Sequence, residues 1–155
     1  RFEWTLGTAR TSVALTTNVT ARSKARKRAL DILFEADQRS ISAADVLTRN
    51  EAASTTSMNP LVAELVNGVL DHLSAIDDTI ETYSEGWSLD RMPAVDRALA
   101  RIGVFEIVFA AETPDPVTID EVVSLAADLS TDESPAFLNG LLARISRIKS
   151  RISLE

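Results

Sequence analysis

Apolar residues recur every three to four positions along almost the whole chain, and no segment sustains the apolar/polar alternation of a strand. That period confines the chain to an all-α fold. A first helix is predicted from about Arg22 to Gln38, with Ala29, Leu33 and Ala36 on one stripe. Ser42 is placed to cap a second over Ala43 to Ala53, and a Ser/Thr-rich loop follows. Asn59-Pro60 reads as an N-cap followed by proline at the first helical position. It opens one long helix that carries Val62, Leu65, Val66, Val69, Leu73, Ile76, Ile80 and Tyr83 until Gly86 stops it.

The stretch Trp87 to Pro93 reads as a connector with its own buried anchors, Trp87, Leu89 and Met92, and marks the boundary between two halves. Beyond it, Val95, Ala98, Leu99, Ile102, Phe105 and Phe109 form a stripe that Pro114 and Pro116 break. Thr118 and Glu121 have the spacing of a capping box. Ser134-Pro135 starts a last helix with Leu138, Leu141, Leu142, Ile145, Ile148 and Ile152. Six helices in two groups of three are expected. Residues 1–20 lack clear periodicity and a convincing signal-peptide pattern, and are read as a flexible extension of a helical domain over 21–155, its halves 21–86 and 87–155.

A chain of 155 residues forms one domain, or two small subdomains sharing a core. The absence of cysteine removes disulfides, thiol catalysis and thiolate metal sites, and fits a reducing, cytoplasmic setting. The single histidine, His72, cannot build a zinc site; no metal or cofactor is expected. No apolar run approaches the roughly 18 residues that would span a bilayer, so no membrane partner is expected.

Charge is segregated. Residues 1–28 hold seven Lys/Arg and one Glu, a net +6, whereas residues 29–155 hold nine Lys/Arg and twenty-two Asp/Glu, a net -13. The cations concentrate in Ala21-Arg22-Ser23-Lys24-Ala25-Arg26-Lys27-Arg28, which runs directly into an apolar helix signal. Lys27 and Arg28 have Asp31 at i+4 and i+3 spacing, pairs that contribute only about 0.2–0.5 kcal/mol each. Arg22, Lys24 and Arg26 have no acidic partner within the segment. Cations also sit unfavourably at a helix start. A polyanion such as nucleic acid is the ligand this pattern suits.

Two further positions break local rules. Glu106 stands on the apolar stripe between Ile102 and Phe109, where a carboxylate needs a partner. With no nucleophile, second carboxylate or metal ligand in a recognisable motif, a structural carboxylate satisfied by backbone N–H groups or an arginine is expected, and no catalytic residue. Gly140 lies one turn into a helix, where it costs about 1 kcal/mol against Ala; close helix packing and close approach by a ligand backbone both account for it. Phe137, beside the stripe, and Asn139 suit stacking on and hydrogen bonding to an unpaired RNA base.

Four stretches together resemble the NusB family of bacterial transcription antitermination factors: Ala21 to Phe34, Trp87 to Leu99, Ile102 to Ile107, and Phe137 to Leu142. The resemblance runs from about Ala21 to the C-terminus. It implies two three-helix bundles around a shared core and no enzyme activity. It also implies binding to the boxA element of ribosomal RNA transcripts together with NusE, a small-subunit ribosomal protein, within the RNA polymerase elongation complex. It implies RNA contacts by Arg22, Lys24, Arg26, Lys27 and Arg28, by Glu133, Phe137 and Asn139, and by Arg101 as an addition. The NusE-facing residues it implies are Phe34, Asp90 and Asp96. A helical protein–protein adaptor, or the RNA-binding domain of an rRNA-modification system, are the alternatives. A homodimer of the free protein is also compatible with the sequence.

Overall fold

Short polar residues and prolines fix most of the helix starts. The computed structural model describes the backbone of residues 2–151, with side chains from Ala21 onward except Ser150. It contains α1 (Phe2–Arg39), α2 (Ala43–Ala53), α3 (Pro60–Asp71), α4 (Leu73–Tyr83), α5 (Ala94–Val104), α6 (Asp115–Leu129) and α7 (Ser134–Ile148). No strand occurs among the described residues. The expectation of a flexible extension over residues 1–20, and the place of Ile152 on the last stripe, lie outside the fully described residues.

Ser42 caps α2 by accepting from the Asp45 N–H, and Asn59 caps α3 by accepting from the Leu61 N–H at 2.9 Å. Gly86 adopts φ +92° in the turn after α4, a region that favours glycine.

Helix α1 begins at Phe2 rather than near Arg22, so the basic run lies within the helix and not at its start, and three further boundaries differ from expectation. The long helix breaks at His72 (φ -115°, ψ 18°) into α3 and α4. The break leaves Val69, Ile76 and Ile80 buried on one side, so periodicity does not register it. The next stripe leaves α-geometry after Val104 and closes in a π-helical turn, Phe105–Phe109, with Ala110 N–H donating to Phe105 O. Third, α6 begins at Asp115 rather than at a capping box. Pro116 occupies its second position, where no N–H is needed, and Thr118 is wholly buried with no partner for its hydroxyl among the described residues. Glu121 instead accepts from the Ser23 hydroxyl of α1 at 2.7 Å.

Helices α1, α2 and α3 pack as one group and α5, α6 and α7 as another, with α4 lying against α5 and α7. Because α1 also packs on α5, the two three-helix bundles bury one continuous core. Leu30, Ile32, Leu65 and Val66 from the first group meet Leu99, Ile102, Leu138 and Leu142 from the second in that core, all 2% exposed or less. Gly68 permits one close approach: a Cβ there would fall 2.1 Å from the Phe105 ring.

Candidate nucleic-acid interface

The basic run forms one turn after another of α1, so its cations point to different sides. Lys24 and Arg28, four residues apart, are both exposed and line one groove with half-buried Lys27. The Ser54–Asn59 loop supplies the opposite wall of this groove of about 600 Å³. Lys27 is held by Asp31 at 2.8 Å, the pairing expected from spacing. The corresponding Arg28–Asp31 pair is not formed; among the described residues neither Lys24 nor Arg28 makes an ion pair. Arg22 is half-buried and donates to Thr113 Oγ1 at 2.6 Å.

Arg26 requires a correction. It is 1% exposed and gives Nε and Nη2 to the two carboxylate oxygens of Glu106, both at 2.8 Å. Burial by itself would lower the guanidinium pKa, but the hydrogen bond and negative charge of Glu106 outweigh it and raise the value. The guanidinium therefore stays charged, and with its Nε and Nη2 engaged inside the core Arg26 has no face left for a phosphate. Glu106 is the structural carboxylate expected, satisfied by an arginine from α1.

The second expected RNA segment stands at the α6–α7 turn. Exposed Glu133 and half-buried Phe137 line a cavity of about 500 Å³ with Trp87, Arg91 and Asp132; exposed Asn139 does not line it. This cavity and the basic groove share no lining residue. Gly140 is not explained by close packing, since a Cβ there would meet only the Arg144 guanidinium, at 3.6 Å.

Trp87 is the residue the sequence misplaced. Expected as a buried anchor, it is 46% exposed, while its neighbours Leu89 and Met92 are buried as expected. Its ring lies 6.1 Å from that of Phe137 at 54°. The surrounding turn is fixed through its backbone: Trp87 N–H donates to Ser84 O, and Trp87 O accepts from Ser84 Oγ. A tryptophan beside buried neighbours carries no sequence signal of exposure.

The partner-facing residues divide as well. Phe34 is 36% exposed and Asp90 is exposed, but Asp96 is 3% exposed. Asp96 accepts from Ser130 Oγ at 2.5 Å and Ser134 Oγ at 2.8 Å, tying α5 to the α6–α7 turn. Its assignment to a protein-binding face is therefore corrected: it is an internal strut. Arg101, expected near RNA, gives Nε and Nη2 to Asp77 at 2.8 and 3.0 Å and lies in a groove with Asp37, Asp78, Glu81 and Asp90. It belongs with the acidic face. The ring of exposed His72 stacks on Phe109 with centroids 4.2 Å apart.

Among the described residues no group of acidic or histidine side chains is arranged to hold a metal ion, and no helix is long and apolar enough to cross a membrane. Comparison with known proteins agrees with the helical architecture. The NusB family matches residues 23–147. The transcription antitermination protein NusB of Arthrobacter sp. (strain FB24) is 53% identical over 131 residues, covering 84% of this chain and 96% of that protein. Among solved structures, NusB of T. maritima superposes with a TM-score of 0.73 at 32% identity, covering 81% of this chain and 90% of that one. A NusB in complex with NusE and double-stranded RNA has the same fold, with a TM-score of 0.73 at 24% identity over 83% of this chain and 97% of that one.

Proposed function

The chain belongs to the NusB family of transcription antitermination proteins, and from that premise we propose that it binds boxA RNA of ribosomal RNA transcripts jointly with NusE. The assembled complex joins the RNA polymerase elongation complex in the cytoplasm and promotes read-through of terminators. Its role is assembly, not catalysis. The observation that carries the RNA half is the groove of α1, where Lys24 and Arg28 stand exposed beside Lys27, without an ion pair among the described residues, on a chain of net charge -7. Cations left without partners on an acidic protein favour a polyanion, and phosphate neutralisation supplies affinity without sequence choice. Arg22 adds a half-buried charge in the same stretch of α1.

Sequence choice then falls to the start of α7, where Glu133, Phe137 and Asn139 offer acceptors, an aromatic face and an amide to unstacked bases. The NusE half rests on the acidic groove of Asp78, Glu81 and Asp90, with Phe34 as an apolar contact. A basic ribosomal protein complements that charge.

The test is a salt titration of boxA RNA binding with NusE present. Three engaged cations predict a log–log slope of about -2 for single-stranded RNA, and about -3 if Arg22 joins them. Replacing Lys24, Lys27 and Arg28 by Ala should weaken binding and flatten the slope. A flat slope for the unaltered protein, or equal affinity for a scrambled boxA, would overturn this function in favour of an adaptor that binds only protein.

A further inference from the structure

The cavity at the α6–α7 turn has a feature that the family resemblance did not assign: an exposed tryptophan on its rim. Trp87 comes from the connector between α4 and α5, while Phe137 comes from the first turns of α7. Their rings are 6.1 Å apart and inclined by 54°, too open to be a closed stack. The space beside them, about 500 Å³, is of the size that holds small planar ligands. An indole left 46% exposed forgoes burial that a nearby apolar floor of Met92 and Pro93 would offer, which suits it to a partner outside this chain.

The polar rim indicates what that partner is. Arg91 is exposed and makes no ion pair among the described residues, so it is available to a phosphate. Asp132 and Glu133 are exposed carboxylates on the other side of the same opening. Carboxylates accept only, so they select a ring that donates through an exocyclic amino group and disfavour one whose edge offers carbonyl oxygens. An aromatic wall, one cation and two exposed carboxylates fit a single nucleotide better than a peptide or a second protein surface.

We infer that Trp87 and Phe137 together form a cleft that takes one unpaired RNA base bearing an amino group, with Trp87 stacking on the base, Arg91 on its phosphate and the Asp132–Glu133 rim reading its edge. The inference rests on the RNA-binding function proposed above. It adds Trp87 and Arg91 to the recognition surface and gives this end of the molecule a base preference. The basic groove of α1, which shares no residue with the cleft, then engages a different part of the same strand.

The two tryptophans of the chain make the test specific. In a Trp4→Phe background, 5-fluorotryptophan places a single fluorine reporter at position 87, silent in unlabelled NusE. Adding boxA RNA and NusE should shift or broaden that resonance, whereas NusE alone should leave it in place. In parallel, labelled boxA RNA should bind Trp87→Ala on the order of tenfold more weakly, and Trp87→Phe should restore most of the loss. Uridine placed successively at each boxA position should reveal one base whose replacement weakens the wild type about tenfold but costs Trp87→Ala nothing more. If wild-type protein binds boxA while Trp87→Ala binds within twofold of it, or if no such position exists, the cleft is overturned and the α1 groove stands. If the wild type with NusE does not bind boxA at all, the RNA function itself fails.

Discussion

Arg26 and Glu106 are each anomalous where they stand in the sequence, and each explains the other in the structure. One is a cation without a local acidic partner, the other a carboxylate on an apolar stripe; 80 positions apart, they meet in the core at 2.8 Å. Matching the two anomalies would have found the pair, but the lack of a local partner alone does not say which of several cations turns inward. Position does: Arg26 follows Ala25 and precedes Ala29 and Leu30, the buried face of α1, whereas Lys24 and Arg28 flank it on the exposed side. Breaking such a pair leaves a buried charge unpaired, so Arg26→Ala should destabilise the fold by about 3–5 kcal/mol in urea denaturation. Removing both charges with similar volume, Arg26→Met with Glu106→Leu, should recover most of that loss. RNA affinity of the folded double variant should match wild type. A double variant as unstable as the single one would show that the pair contributes more than the avoidance of an unpaired charge.

Helix starts were legible because their signals are local. Ser42, Asn59-Pro60 and Ser134-Pro135 each stand where a helix begins. The breaks were not legible: the His72 kink and the π turn at Phe105–Phe109 keep the same residues inward, so the apolar period continues through both. They are joined by a contact no sequence shows, His72 stacked on Phe109, with the Phe105 ring set against Gly68. Two glycines inside helices therefore separate by cause. Gly68→Ala puts a methyl into that ring and should cost about 1–3 kcal/mol. Gly140→Ala meets only the end of a flexible arginine, and should stabilise α7 by up to about 1 kcal/mol. Thermal unfolding of the two variants checks the signs. The RNA affinity of Gly140→Ala then decides what packing does not: unchanged affinity makes the glycine incidental, while a loss makes it a site of close RNA approach.

Across the whole molecule the charge asymmetry was readable from composition, yet its use was only partly so. Composition located a basic segment and an acidic body, but not that Asp96 lies inside the fold or that Arg101 is engaged by Asp77. Among the described residues, Lys24 and Arg28 make no ion pair along α1, and Asp78, Glu81 and Asp90 make none in the groove where Asp37 is bound by Arg97. Unpaired charges of opposite sign in separate grooves should act on separate partners, mainly through association rate and its salt dependence. Asp78→Asn, Glu81→Gln and Asp90→Asn together should slow association with NusE on the order of tenfold at low salt and leave the salt slope for RNA intact. Lys24→Ala with Arg28→Ala should do the reverse, lowering the RNA slope by about 1.4 while NusE association keeps its rate. Stopped-flow association with NusE and RNA titrations across salt measure both. If the acidic variant lost RNA binding as readily as NusE, the grooves would form one continuous surface, and the division of labour assigned to them would be wrong.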